Sequence, residues 1–172
     1  LIGATGRAGS EILKELVRRG HHVTAIVRNP EKVPAGANVT AKKGDVFDKA
    51  GLTELLKGHD AVVSAVHFTA SDPQILIDAV KAAGVTRYLV VGGAGSLEVA
   101  PGVALVTTPG FPAEYKAEAL KGGDFLALLR QEKALDWTFL SPSALFFDGP
   151  RTGTFRLGKD QLLVSPEGSH IS

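Results

Sequence analysis

GATGRAG, residues 3–9, is the stretch of sequence that decides the fold of this chain. The apolar pair Leu1-Ile2 precedes it, and an amphipathic run from Ser10 to Arg19 follows it. This order predicts the end of a strand, a glycine turn and the start of a helix. A second apolar, β-branched run at residues 23–27 predicts the next strand, so the segment lies in a strand–turn–helix–strand unit.

Each glycine of the segment has a role in such a turn. Gly3 permits a tight turn, Gly6 leaves room for the backbone to approach a phosphate, and Gly9 lets the helix pack close to the sheet. The first helical turn and the positive end of the helix dipole then face an anion, such as the pyrophosphate of a dinucleotide. The spacing is GxxGxxG rather than the commoner GxGxxG. The prediction therefore rests on the strand before the motif and on the helix and second strand after it. The alternative is a glycine-rich turn that binds no ligand.

Length and composition predict a single domain over residues 1–172. The 19 basic and 18 acidic residues give a net charge of +1, which indicates neither a nucleic-acid nor a membrane partner. The absence of Cys excludes disulfides, a thiolate nucleophile and a cysteine metal site, and agrees with a cytoplasmic protein. The chain starts without Met, part-way through a strand, and stops before any closing helix, so we expect both ends of the domain to be incomplete.

Strand and helix patterns alternate along the chain. Strands are predicted at 1–2, 23–27, 39–42, 61–66, 87–91 and 137–140, and helices at 10–19, 52–57, 73–83 and 113–134. Gly122-Gly123 is expected to interrupt the last helix, and the stretch Leu97 to Pro112 has no clear period. A small C-terminal hairpin is predicted from residues 154–157 and 162–164.

Repeated βα units predict an α/β fold, a doubly wound parallel sheet of the Rossmann type with strand order 3-2-1-4-5-6. Its ligand crevice lies outside the carboxyl ends of the strands, where the order reverses. Five segments fall at those ends: the glycine turn, Arg28, Ser64 to His67, Gly92 to Ser96, and Ser141 to Ser143. Their convergence is stronger evidence than any one motif.

Arg28 ends the second strand, where NAD-binding proteins place an acid for the ribose hydroxyls. An arginine there can bind a 2′-phosphate, so NADP is favoured and NAD stays open. Arg7 would add charge near the same phosphate, although both arginines could be solvated loop residues. Asp45 follows the third strand and would accept a hydrogen bond from adenine, with Val46 against the ring. An ordinary turn aspartate explains Asp45 as well.

Two residues at the carboxyl ends are candidates for chemistry. Ser96 would orient the nicotinamide carboxamide or a substrate oxygen, or else it is a simple loop serine. His67 is the weaker catalytic candidate, because a lone histidine is more often structural or solvated. No metal site is expected. The full set of predicted cofactor-binding residues is Gly3, Thr5, Gly6, Arg7, Ala8, Gly9, Arg28, Asp45, Val46, Ser64, Ala65, Val66, Gly92, Gly93, Ser141, Pro142 and Ser143.

With these residues the chain resembles the atypical short-chain dehydrogenase/reductase family. It is most similar to the NAD(P)H-binding group named for NADH-flavin reductases, which is related to biliverdin reductase B and the NmrA-like proteins. The resemblance covers essentially the whole chain and rests on residues 2–9, 27–30, 44–46, 90–96, 141–142, 158–164 and 169–172. It implies an NAD(P)H-dependent enzyme, and proteins of this group usually extend beyond both ends of this chain.

One departure bears on mechanism. The larger family uses a YxxxK pair, but Tyr115 is followed four places later by Ala119, and Tyr88 by Gly92. Lys116, next to Tyr115, would point about 100° away on a helix. Ketone reduction with a protein proton donor is therefore not supported. Hydride transfer to a flavin chiefly needs two rings held in contact, which proximity and orientation supply.

We therefore expect an NAD(P)H-dependent reductase of a flavin, or of another flat conjugated acceptor, as its small-molecule partner. The alternative is a non-catalytic NADP(H)-sensing protein that resembles NmrA and reports to a partner. An epimerase-like enzyme is disfavoured, because such relatives keep the tyrosine and the lysine. The sequence does not distinguish a monomer from a homodimer.

Overall fold

Hydrophobic strands and amphipathic helices alternate along the chain in the computed structural model, which describes residues 1–172. The helices are α1 (Arg7–Arg18), α2 (Lys49–Leu56), α3 (Pro73–Ala82) and α4 (Ala113–Gln131). The strands are β1 (Val23–Val27), β2 (Val39–Lys43), β3 (Ala61–Ser64), β4 (Arg87–Val91), β5 (Glu98–Ala100), β6 (Val103–Ala104), β7 (Asp136–Leu140), β8 (Leu145–Phe146) and β9 (His170–Ile171). None of the helices combines the length and the apolar character that crossing a membrane requires.

The main sheet consists of two regular parallel ladders. β1 pairs with β2, and β4 pairs with both β3 and β7. Ile2 joins the ladders through parallel bridges to Ile26 and Ser64, and its amide donates to the Val63 carbonyl at 2.8 Å. The segments therefore lie in the order β2, β1, Ile2, β3, β4, β7. The α/β class with a parallel sheet is confirmed, while the predicted place of the first strand depends on the bridges at Ile2.

Helices cover both faces of this sheet because adjacent strand residues point to opposite sides. Ala25 belongs to the smaller apolar cluster, which α1 covers with Leu13. Ile26 belongs to the larger cluster, where α2, α3 and α4 pack with residues such as Leu76 and Phe125. Full burial of each large apolar side chain stabilises the fold by roughly 1.5–3 kcal/mol. The two clusters fix the sheet rigidly beneath the loops at its carboxyl edge.

The expected break in the last helix does not form, because α4 runs without interruption through Gly122. The buried Gly122 lies against the ring of Phe68, whose Cε2 atom would be 2.8 Å from a Cβ at this position. Glycine weakens a helix interior by about 1 kcal/mol, and here the packing of an aromatic ring offsets that cost. The prediction was wrong because this contact comes from a distant segment.

The predicted C-terminal hairpin is also wrong. Residues 154–157 form no strand, and β8 pairs instead with β9 in a short parallel ladder. In the second predicted strand, the Leu162 amide donates to the Glu98 carbonyl of β5 at 2.9 Å. The stretch from Leu97 to Pro112, which has no period in the sequence, contains the antiparallel pair β5–β6. The part of the C-terminal chain around residues 160–162 therefore pairs with β5.

Candidate functional site

The glycine turn has the geometry that the sequence predicts. Gly3 has φ +84°, and a Cβ at this position would lie 2.6 Å from the Ala65 carbonyl oxygen. The Gly6 amide donates to the Gly3 carbonyl at 3.1 Å. Gly9 packs so closely on the Gly3 carbonyl that a Cβ at residue 9 would overlap it. The turn therefore holds the start of α1 directly against the end of the first strand.

The N-terminus of α1 is open to a ligand. Gly6 is its N-cap, no side chain caps it, and its first turn contains no acidic residue. The amides of Arg7, Ala8 and Gly9 donate to no group of the protein, and the helical ladder begins with Ser10, which donates to Gly6 at 2.8 Å. A Cβ at Gly6 would meet only carbonyl oxygens at 3.4 Å and beyond. The free amides and the positive end of the helix dipole are the features that fit a pyrophosphate.

The segment after β3 borders the glycine turn, as predicted. Ser64 is buried, and the next amide, that of Ala65, donates to the Ile2 carbonyl at 3.0 Å. The Val66 Cγ1 atom would lie 3.0 Å from a Cβ on Gly3. The structure thus brings the glycine turn and residues 64–66 together at one side of the crevice.

The end of β1 places Arg28 next to the end of β2, because the Gly44 amide donates to the Val27 carbonyl at 3.0 Å. Arg28 is exposed and forms no ion pair or hydrogen bond, so its guanidinium is free for a phosphate. Arg7 is also exposed, and its Nε lies 3.7 Å from an oxygen of Asp148. Arg28 thus follows directly after β1, and Arg7 is the first residue of α1.

The two residues expected at the adenine, Asp45 and Val46, have local structural roles. The Asp45 carboxylate accepts a hydrogen bond from the Phe47 amide at 2.9 Å, which is the geometry of an ordinary Asx-turn. Val46 is half-buried and packs against the larger core cluster. The turn interpretation therefore accounts for both side chains without a ligand, although Asp45 remains exposed at the carboxyl edge.

The loop after β4 contains an unpartnered hydroxyl. Ser96 closes a 3-10 turn, Ala94–Ser96, and its Oγ atom is buried without any hydrogen-bond partner. Leaving such a group unsatisfied costs about 1–3 kcal/mol. Gly95 packs on Ala119 of α4, so the turn is held firmly in place.

Residues 141–143 follow β7 and are half-buried beside this loop, since the Gly92 amide donates to the Leu140 carbonyl at 2.9 Å. The chain then returns across the carboxyl edge to α1, where Arg151 forms an ion pair with Glu15 at 3.0 Å. Hydrogen bonds from Arg18, Arg19 and Arg151 hold the pKa of Glu15 well below its ordinary range.

Sequence reasoning missed Glu118 of α4. Its carboxylate accepts hydrogen bonds from the Phe68 amide at 2.7 Å, the Thr69 amide at 2.8 Å and the Thr69 hydroxyl at 2.6 Å, and it lies 3.2 Å from His67 Nδ1. Burial raises the pKa of Glu118, but the bonds from Thr69, Phe68 and His67 outweigh it, so this pKa lies below its ordinary value. No local pattern marks Glu118, because its partners lie about 50 positions earlier.

Neither tyrosine is placed as the acid of a YxxxK pair. Tyr88 is fully buried, and this burial raises its pKa above the ordinary value. Tyr115 is 63% exposed on the first turns of α4, four positions before Ala119. The site therefore lacks the usual acid of the larger dehydrogenase family.

The comparisons with known proteins agree with this geometry. Residues 3–172 match the model of the NAD(P)H-binding family. The uncharacterized protein YwnB of Bacillus subtilis (strain 168) is 47% identical over all of this chain and 84% of its own length.

Two solved structures have the same Rossmann-like fold. A Bacteroides thetaiotaomicron protein, provisionally named an epimerase, is 43% identical with a TM-score of 0.93 over 99% of this chain and 82% of its own. A Streptococcus pneumoniae TIGR4 protein, provisionally named an NADH-flavin reductase, is 37% identical with a TM-score of 0.80 over 99% of this chain and 84% of its own. This chain is therefore a member of the NAD(P)H-binding family.

Proposed function

We propose that this protein is an NADPH-dependent oxidoreductase that reduces a flavin or another flat conjugated acceptor. The observation that carries the proposal is the set of three free amides at the start of α1, next to Gly6, where a Cβ would meet only carbonyl oxygens at 3.4 Å and beyond. These donors would bind the pyrophosphate, and residues 64–66 would line the same side of the coenzyme. Membership of the NAD(P)H-binding family supports this assignment.

Arg28 supports NADPH over NADH. Its guanidinium is exposed, has no acidic partner and lies at the end of the strand that borders the adenosine ribose in this fold. A 2′-phosphate there would gain a charge-assisted, bidentate interaction, whereas a ribose hydroxyl would not. Arg7 would add positive charge if its ion pair with Asp148, which is long and exposed, opened on binding.

The far side of the crevice would hold the reacting ring and the acceptor. The reduced nicotinamide, when bound, supplies the hydride. Ser96 would orient the carboxamide through its unpartnered hydroxyl. Residues 141–143 would form one side of the nicotinamide pocket. Leu145, Phe146 and Phe147 follow with their side chains largely exposed, and they offer an apolar surface for a flat acceptor. Holding two rings in contact would supply most of the catalysis.

A regulatory NADP(H) sensor is the second candidate function. The exposure of Tyr115 and the presence of Ala119 in place of the family lysine favour it, since binding would then occur without an acid for catalysis. A cytoplasmic location and a homodimeric state stay predictions, which cell fractionation and size-exclusion chromatography test.

Stopped-flow absorbance at the reduced-nicotinamide band tests the proposal. Purified protein is mixed with NADPH and, in separate runs, with FMN, menadione or biliverdin. We expect enzyme-dependent oxidation of NADPH with at least one acceptor. Tight binding of NADPH without oxidation by any acceptor would select the sensor, and a lack of binding would exclude both functions.

A further inference from the structure

We infer that His67 is the proton donor of the proposed reduction, and that Glu118 is the positioning residue that holds its ring. The inference rests on the proposed function, and it supplies the acid that the missing YxxxK pair would otherwise provide. It comes from a contact between two elements that lie about 50 residues apart in the sequence.

The carboxylate of Glu118 fixes one side of the imidazole. One oxygen accepts from the Phe68 amide and lies 3.2 Å from His67 Nδ1, while the other accepts from the amide and hydroxyl of Thr69. An ionised carboxylate only accepts hydrogen bonds, so Nδ1 must carry the proton. Nε2, on the opposite side of the ring, is then the nitrogen that would deliver the proton. The side chain of His67 is 85% exposed, so Nε2 is accessible.

The same helix places His67 beside the turn that contains Ser96. Phe68 lies 3.5 Å from the position of a Cβ on Gly93, and Gly95 packs on Ala119, the residue after Glu118. The two turns therefore lie side by side on α4, each after one of the neighbouring strands β3 and β4. Both project from the carboxyl edge of the sheet, where the fold binds its ligands.

The proton balance is simple. The hydride brings two electrons and one hydrogen to the acceptor, and a heteroatom at the other end of its conjugated system takes the second hydrogen as a proton. The Nε2–H bond of protonated His67 breaks as the new O–H or N–H bond forms. The ring becomes neutral with its remaining proton on Nδ1, bonded to Glu118, and it regains a proton from water.

Other ionisable groups lie near the His67 imidazole without contacting it. By helical spacing, Glu114, Tyr115 and Lys121 share the side of α4 that bears Glu118. Asp72, at the end of the His67 turn, is engaged as the N-cap of α3, where it accepts from two backbone amides. Glu118 is the ionisable group in direct contact with the imidazole.

The first test needs no acceptor. Imidazole ¹⁵N chemical shifts of the whole chain at alkaline pH report which nitrogen of a neutral histidine bears the proton. We expect His67 to be in the Nδ1–H form in the wild type and to become a mixture of both forms in Glu118→Gln. A wild-type His67 that is already a mixture, or in the Nε2–H form, overturns the role of Glu118 whether or not the protein is a reductase.

The second test measures single-turnover reduction of menadione by NADPH across acid to alkaline pH. We expect the wild-type rate to fall toward alkaline pH, and His67→Gln to lower the acid-side rate by about 100-fold or more and to abolish the pH dependence. The affinity for NADPH should stay unchanged. His22→Gln is the matched control, because this exposed histidine precedes β1 at the opposite edge of the sheet.

The outcomes separate the two proposals. Wild-type turnover with an unchanged rate and pH profile in His67→Gln overturns the donor role and leaves the reductase intact. Binding of NADPH by the wild type with no reduction of menadione, FMN or biliverdin overturns the reductase and the donor role together.

Discussion

Gly9 lies directly against the carbonyl oxygen of Gly3, and this contact sets the distance between α1 and the sheet. A Cβ at residue 9 would overlap that oxygen, and backbone cannot move aside as a flexible side chain can. We predict that Gly9→Ala destabilises the fold by about 1–3 kcal/mol, as overpacking does. Urea unfolding measures the change.

Gly123→Ala is the matched control for this substitution. Gly123 lies in α4 with no atom within 4 Å of its would-be Cβ, so alanine should stabilise the protein through its helix propensity. Equal stability of Gly9→Ala and the wild type would contradict the close packing of the turn.

Arg28 is predicted to decide between the two nicotinamide coenzymes. Arg28→Glu should weaken NADPH binding by about 1.5–3 kcal/mol, the range for a hydrogen bond to a charged group, and should leave NADH binding nearly unchanged. Calorimetric titration with each coenzyme gives both values. Lys32→Glu, a charge reversal in the loop after β1, controls for the change in net charge. Equal losses for NADPH and NADH would refute the role of Arg28 at the 2′-phosphate.

Ser96→Ala separates binding from stability. Because the Ser96 hydroxyl is buried without a partner, its removal should leave stability unchanged or improve it by up to about 1–3 kcal/mol. If the hydroxyl orients the carboxamide or the acceptor, the variant should lose kcat/KM by about tenfold. A thermal melt and a steady-state assay together make the measurement, and normal activity in the variant would remove Ser96 from the site.

The free energy of unfolding is predicted to decrease at acid pH because Glu118 becomes protonated. The pKa of Glu118 is lower in the folded chain than the unfolded value of about 4.3, so the unfolded state binds more protons in this window. Its contribution is therefore complete above the unfolded pKa and disappears as pH falls through the folded value. Urea unfolding at a series of acid pH values should show the wild type losing its advantage over Glu118→Gln.

Glu114→Gln serves as the reference in that series, because Glu114 is an exposed carboxyl of α4 without a hydrogen bond or an ion pair. Its difference from the wild type should change little with pH. A gap between the wild type and Glu118→Gln that stays constant, or widens toward acid pH, would be inconsistent with the contacts of Glu118.

The parts of this fold that depend on residues close together in the sequence could be predicted. The glycine turn, the alternation of strands and helices, and the position of Arg28 follow from local pattern and spacing. The parts that depend on distant partners could not. Gly122 stays helical because Phe68 packs on it. Leu162, in the second strand of the expected hairpin, instead donates its amide to Glu98 of β5.

The same distinction holds in the candidate site. Ser96 and His67 were identified by their place at strand ends, which the topology dictates. Glu118 could not be predicted from the sequence, because its contacts depend on how α4 packs against the turn after β3. Asp45 follows β2 as the topology predicts. Its carboxylate, however, accepts a hydrogen bond within a local turn, so one of its oxygens is satisfied without any ligand.

Calorimetric titration of NADPH into the wild type and Gly6→Ala tests the central claim most directly. Gly6 has φ −74° and its would-be Cβ meets nothing closer than 3.4 Å, so alanine fits the fold but fills the place of a phosphate. We predict one NADPH bound per wild-type chain, and affinity at least about tenfold weaker in Gly6→Ala, with an unchanged melting temperature. No binding to the wild type, or equal affinity in both proteins, would contradict the account.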